Sequence, residues 1–421
     1  MKQISKDNIN LGNITSVDLI VRTGYQIGKT PVLTVMAAQL NANDVVLALI
    51  VSISTISGMI LKPLVGFLSD NLGRKLWLFV GGLLFAGVPF LYVFIDTPTQ
   101  LIGLRIFHGI STAIYGPVTL AYVAEIRFNK FGRNFGIFSL ARNSSYIIGP
   151  LIGGWLLLSY DPIHIYTFIG FISILAFIPL IFLSEQNPSN TNGINTPYQT
   201  SSNLYPAESV RSNKLSTKQD IDPKNNILTK TRISLNELNN KSIWIAGGSE
   251  SLGLMATYGA KVFVPLNIIV TQNNVFTAAT FIAVQHATQM FISAFSGRLW
   301  DKTAYIYGIC LGIIFLGLGI NLIPLVGYST ITIPITAIII GIGMGFIQPS
   351  ASAYIATNVN KSSLGLSLGF SGTLKNMSKI LGPVFLGILI TYFGYTNSLH
   401  LLGIGTILGI IPIVFILKIA K

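Results

Sequence analysis

About twelve apolar runs, each near the ~20 residues a helix needs to cross a bilayer, limit this chain to one kind of fold. The first six lie over residues 14–40, 45–68, 76–95, 100–126, 135–158 and 164–183. The second six lie over 243–270, 276–299, 304–326, 331–357, 364–393 and 398–419. Only 10% of the 421 residues are charged, where a soluble domain carries roughly a quarter. The expected fold is an all-α membrane protein of about twelve transmembrane helices. Two runs are less purely apolar than the rest: the first carries Asp18, Arg22 and Lys29, and the seventh carries Glu250 and Lys261.

Residues 185–241 separate the two sets of six. They are rich in Asn, Ser, Thr, Pro and Lys and almost free of aromatic residues. Such a composition cannot bury enough apolar surface to fold alone, so a disordered linker is expected there, as a tether or a regulatory segment. The chain then divides into a tail over 1–13, a six-helix half over 14–184, the linker, and a second half over 242–421.

A net charge of +13 raises the question of nucleic acid, but the distribution of that charge argues against it. Lys2, Lys6, Arg74, Lys75, Arg127, Lys130, Arg133, the linker cations, Arg298, Lys302, Lys361, Lys418 and Lys421 all fall on one side of the predicted membrane. The opposite loops, 41–44, 96–99, 159–163, 271–274, 327–330 and 394–397, contain neither Lys nor Arg. Positive charge stays inside, so both termini and the linker are expected in the cytoplasm of a multi-pass plasma-membrane protein. Residues 1–13 lack the apolar core of a cleavable signal peptide. Cys310 is the only cysteine, which excludes an intramolecular disulfide and a cysteine-cluster metal site.

The stretch Gly66-Phe67-Leu68-Ser69-Asp70-Asn71-Leu72-Gly73-Arg74-Lys75 joins the second and third runs so tightly that they must be antiparallel neighbours. Gly66 permits close helix approach and Asp70 can cap free amides at a helix end. Gly73 supplies the turn, and Arg74 and Lys75 hold it on the cytoplasmic side. A reduced copy, Gly297-x-x-x-Asp301, follows at an offset of 231 residues. Pro117 and Pro349 are 232 apart. The run Arg142-Asn143-Ser144-Ser145-Tyr146-Ile147-Ile148-Gly149-Pro150 returns as Lys375-Asn376-Met377-Ser378-Lys379-Ile380-Leu381-Gly382-Pro383, offset by 233. Offsets this close define two parallel six-helix repeats.

The pattern Gly-x-x-x-Asp-x-x-Gly-Arg-Lys resembles the loop 2–3 signature of the major facilitator superfamily. Arg105-Ile106-Phe107-His108-Gly109 is similar to the family's fourth-helix Arg-x-x-x-Gly motif. Gly149-Pro150-Leu151-Ile152-Gly153-Gly154 resembles the fifth-helix motif of its antiporter branch. Ala124-Glu125 followed by Gly132-Arg133 resembles its loop 4–5 pattern, while the copy at Gly297 lacks the Gly-Arg-Lys tail. The resemblance implies two pseudo-symmetric halves around a central cavity, and transport of a small solute by alternating access. It also implies that Arg74 and Glu125 belong to an inter-helix charge network at the cytoplasmic mouth.

An ionisable side chain in lipid costs several kcal/mol, so each should face a cavity or a partner. Asp18 and Glu250 are 232 apart. Each reads either as a proton carrier or as a paired carboxylate. Asp18 has Arg22 on its own helical face, whereas no basic residue lies within four positions of Glu250, so Glu250 is the first choice for proton coupling. Arg105 and His108 read as a proton or substrate relay, which the resemblance favours, or as a structural hydrogen-bonded pair. Arg142 and Lys375 are expected either to converge on the cavity and hold an anionic or strongly electronegative group of the solute, or to pair with neighbouring carboxylates or carbonyls. Arg22, Lys29 and Lys261 complete the cationic candidates, and Lys62 and Lys379 read as snorkelling. Gly149, Pro150, Gly153, Gly154, Gly382 and Pro383 read as helix-packing positions.

The resulting expectation is export of a small solute in exchange for protons, by a monomer in the lipid bilayer that needs neither cofactor nor metal. Uptake or exchange of an organic anion is the first alternative, favoured by the excess of intramembrane cations. A non-transporting sensor or scaffold is the second, and no folded soluble domain supports it. No nucleotide loop, His-Glu-x-x-His site or nucleophile elbow points to an enzyme.

Overall fold

The computed structural model describes residues 2–126, 131–184, 240–299, 305–326, 329–359 and 364–419. The expected linker lies outside them except for its last two residues, and Asp301 lies outside them altogether. The described residues form helices joined by short connections.

The first span is Lys2–Lys29, resuming as Val32–Gln39 after a break at Pro31. Tyr166 Oη donates to the Gly28 carbonyl at this break, 2.6 Å away. The second span is Asp44–Leu72, capped by Asn43 Oδ1 accepting from the Val46 amide at 2.9 Å. The third is Arg74–Gly87, continuing as a 3₁₀ turn through Phe94. Pro98–Glu125, the fourth, opens on a capping box between Thr97 and Gln100. Phe131–Leu156 is the fifth, and Pro162–Leu175 with Phe177–Ile181 makes the sixth.

The second half follows as Lys241–Gln272, Val275–Leu299, Tyr305–Val326 and Thr332–Asn358, spans seven to ten. Helix Leu364–Leu408 contains Gly394 at φ 75°, a backbone conformation open to glycine. That residue separates the eleventh span from the twelfth, which continues as Ile410–Ile419. Gly73, at φ 89°, makes the turn between the second and third spans.

By length and apolarity alone, nine stretches among the described residues can cross a membrane. The first and fifth spans fall short because of their charges and polar side chains, and spans eleven and twelve register as one. With those accounted for, the layout is twelve helices in two halves.

Two expectations change. The tail expected over 1–13 is helical from Lys2 and belongs to the first span. It is drawn into the bundle because Asn10 is buried, its Oδ1 accepting from the Ser184 amide at 3.2 Å. Gly66 does not mark a close helix approach: a Cβ there would meet nothing within 4 Å. The close approaches lie at the Gly-Pro motifs instead. A Cβ on Gly149 would fall 2.4 Å from Gln26 Cβ of the first span, and one on Gly382 would fall 2.2 Å from the Met255 carbonyl of the seventh. The motif thus seats the fifth span on the first and the eleventh on the seventh, the same contact in both repeats.

The halves meet through the second and eleventh spans and through the fifth and eighth. A Cβ on Gly387 would lie 2.9 Å from the Asp44 carbonyl, and one on Gly154 would lie 2.3 Å from Ala279 Cβ. Ser52 Oγ donates to the Ile380 carbonyl at 3.0 Å. The two glycine contacts lie toward the end of the bundle that carries the lysine-free loops.

Candidate functional site

A cavity lies between the halves, lined by Gln26, Lys29 and Thr30 of the first span, Val51 of the second, and Tyr146 and Pro150 of the fifth. Tyr258, Lys261 and Val262 of the seventh and Ile282 and His286 of the eighth close its other side. Three lysines gather around the Tyr258 ring. Lys29 Nζ lies 5.7 Å from the Tyr258 ring centroid, Lys261 Nζ 5.1 Å and Lys379 Nζ 5.7 Å. Lys29 is also 5.7 Å from the Tyr25 ring. Such distances are within reach of cation–π attraction, which holds each ammonium near an electron-rich face. Lys261 Nζ sits 2.9 Å from His286 Nε2. An ammonium only donates, so His286 is a neutral imidazole accepting at Nε2. Its ring lies 5.3 Å from Tyr146. Lys379, read from sequence as snorkelling, stands beside the Tyr258 ring that lines the cavity: a lysine in an apolar helix does not encode which side meets lipid.

Among the described residues, each half holds one buried carboxylate. Asp18, 1% exposed, accepts from two guanidinium groups. Arg142 Nη2 reaches Oδ1 at 2.8 Å and Nε reaches Oδ2 at 3.0 Å, a bidentate fork. Arg22 Nε lies 3.2 and 3.1 Å from the same oxygens. Thr119 Oγ1 accepts a further bond from Arg142 at 2.7 Å and donates to the Tyr115 carbonyl, which fixes the arginine on its far side. Glu250, fully buried, has one ionic partner among the described residues, Lys375 Nζ at 3.3 Å. Both Arg142 and Lys375 are thus engaged by carboxylates on the first and seventh spans. The cations of the two repeats that do line the cavity together are Lys29 and Lys261, themselves 232 residues apart.

Arg105 and His108 form a second cluster, joined to Lys29 through the Tyr25 ring, which lies 5.8 Å from the Arg105 guanidinium and 5.1 Å from the His108 ring. Both are nearly inaccessible, at 1% and 3%. Arg105 Nη2 donates to Ser54 Oγ at 2.8 Å, and Nη1 lies 3.4 Å from His108 Nδ1. Tyr92 Oη lies 3.2 Å from the same nitrogen, and the Tyr92 ring stacks on Tyr166 at 3.6 Å. Arginine cannot accept, so His108 Nδ1 is an acceptor and this imidazole too is neutral.

At the end carrying the termini, Arg74 Nε donates to Glu125 Oε1 at 2.6 Å and Nη1 reaches Ser69 Oγ at 3.4 Å. Lys75 Nζ donates to the Ile181 carbonyl at 3.0 Å. These bonds tie the turn after Gly73 to the second, fourth and sixth spans. Asp70 stands in the last turns of the second span, and Gly297 near the end of the eighth. Sequence reasoning missed Tyr258, Tyr146 and His286. The one trace of Tyr258 was its offset of 233 from Tyr25.

This arrangement of two six-helix repeats is matched in known proteins. The sequence profile of the Major Facilitator Superfamily fits residues 29–323 and again 244–420, and the chain belongs to that family. An uncharacterized MFS-type transporter of Methanocaldococcus jannaschii is 25% identical over 368 residues, covering 87% of this chain and 88% of that one. Quinolone resistance protein NorA of Staphylococcus aureus is 26% identical over 370 residues, covering 85% and 84%. The fold matches the nucleoside transporter NupG with a TM-score of 0.76, over 98% of this chain and 99% of that one, at 11% identity. It also matches a bacterial homolog of the human lysosomal transporter Spinster, at 0.74 over 96% and 95% with 12% identity. The protein is a multi-pass membrane transporter.

Proposed function

We propose that the protein exports a small organic solute across the plasma membrane by alternating access, driven by protons entering in exchange. Both termini would lie in the cytoplasm, where the lysine- and arginine-bearing loops collect. The outward direction is supported by kinship with a quinolone resistance protein, since a transporter confers resistance by removing the compound.

The observation that carries proton coupling is the state of Glu250. It is fully buried, and a single ammonium at 3.3 Å accompanies it. Taking a proton there neutralises the carboxyl and frees Lys375, and losing it restores the pair. One proton therefore switches a contact between the seventh and eleventh spans, two helices that also approach closely at Gly382. Asp18 is the wrong partner for this work. Its protonation would leave Arg22 and Arg142 together, half-buried and without a counter-charge.

The test is flux in proteoliposomes with and without a pH gradient. Wild-type protein should drive solute uphill when the gradient is imposed. Glu250→Gln should lose that drive while retaining solute exchange at equal pH. Gradient-driven flux at the wild-type rate in Glu250→Gln would overturn the assignment, and absence of flux from the wild type would favour a sensor or scaffold.

A further inference from the structure

We propose that the solute taken by this cavity is a small organic anion with an apolar or aromatic body, its charge held between Lys29 and Lys261, with Lys379 closing the third side. The inference rests on the reading of the cavity as a transporter's solute site, and it adds the chemical class of the solute.

The argument begins with charge. All three ammonium groups lie within 5.7 Å of one ring centroid, so no two are more than about 11.4 Å apart. Like charges that close inside a protein repel, and the repulsion is weakly screened away from bulk water. Among the described residues none of the three has a carboxylate at ion-pair distance. The carboxylates that could have served are engaged: Asp18 with Arg22 and Arg142, Glu250 with Lys375. Aromatic faces and the His286 lone pair offer what compensation there is. An anion entering between the lysines supplies the missing counter-charge. A cationic solute would meet three ammonium groups and no free carboxylate.

Position adds to this. Lys29 and Lys261 occupy equivalent places in the two repeats, on the first and seventh spans. An anion between them is held by both halves at once, so its binding responds to the relative movement of the halves, as alternating access requires. Much of the remaining lining is apolar or aromatic, Val51, Pro150, Val262 and Ile282 beside Tyr146 and Tyr258, with Gln26, Thr30 and His286 as its polar members. That surface suits a hydrocarbon or ring body behind the charged group, and not a bare inorganic ion.

The full chain, purified in detergent, can be titrated with three compounds sharing one ring system: 1-naphthoate, 1-naphthamide and 1-naphthylmethylammonium. Thermal unfolding and direct binding of radiolabelled 1-naphthoate are the readouts. Naphthoate should raise the unfolding temperature saturably, more than the amide, and the ammonium compound should not. Lys29→Gln and Lys261→Gln should each weaken naphthoate binding about tenfold or more, and Lys29→Arg and Lys261→Arg should restore part of it. Neither Gln variant strips a carboxylate of its partner, so both are expected to fold. Preference for the amide or the ammonium compound, no binding by any of the three, or unchanged naphthoate binding in both Gln variants would overturn the proposal. Failure of proton coupling would appear only in gradient-driven flux and would leave these binding results standing.

Discussion

Asp18 and Glu250 stand at matching positions of the repeat, on the first and seventh spans, yet the two halves hold them differently. Asp18 is clamped by a bidentate arginine, itself fixed by Thr119, and by a second arginine one turn along its own helix. Glu250 has one lysine at 3.3 Å. Charge counting makes the contrast plain: two cations face one carboxylate in the first half, and one faces one in the second. A guanidinium fork is rigid and stays charged, whereas an ammonium on a flexible stem is easily moved. The same architectural joint is therefore fixed in one half and adjustable in the other.

The hardest blow to this contrast should come from Arg142→Ala. It leaves a buried carboxylate against one guanidinium and removes the tie to the fifth span, which should cost about 3–5 kcal/mol. Lys375→Ala should cost clearly less, because a single proton on Glu250 neutralises what is left. Denaturant or thermal unfolding in detergent reads both, and equal costs would break the asymmetry. Smaller, and symmetric, should be the effect of closing the glycine contacts. Gly149→Ala and Gly382→Ala each place a Cβ within 2.4 Å of the neighbouring helix, and each should cost about 1–3 kcal/mol by overpacking. Similar values would show that the repeats agree in packing and differ in electrostatics, and a cost confined to one would shift the contrast to shape. Least should be Glu125→Gln at the end carrying the termini. Arg74 and Glu125 are 16% and 26% exposed, and partly solvated pairs contribute no more than ~1 kcal/mol to stability.

Much of this was legible in the sequence. Apolar length marked twelve spans, and the offsets near 232 marked the repeat before any helix was placed. The break expected around 394–397 falls at Gly394, where only glycine tolerates the backbone. The pair Asp18–Arg22 was legible because i and i+4 share a helical face. The pair Asp18–Arg142 spans 124 residues and was one of two open readings, since the periodicity within one helix does not tell which residue of a distant helix it meets. Lys379, read as snorkelling, stands beside the Tyr258 ring, a contact hidden for the same reason. A lysine in an apolar helix can reach the interface or an aromatic neighbour, and the three-dimensional arrangement chooses. Tyr258 carried no local signal at all, because an aromatic residue in an apolar helix looks like any other core residue.

The claim at the centre is that the second-half carboxyl, and not the first-half one, takes up and releases a proton. Infrared difference spectroscopy on the purified protein reads it directly, through the C=O stretch of a protonated carboxylic acid as pH is stepped down. A protonated-carboxyl band present in wild type should persist in Asp18→Asn and vanish in Glu250→Gln. A band that survives Glu250→Gln and is lost in Asp18→Asn would contradict the account and place the proton in the clamped half.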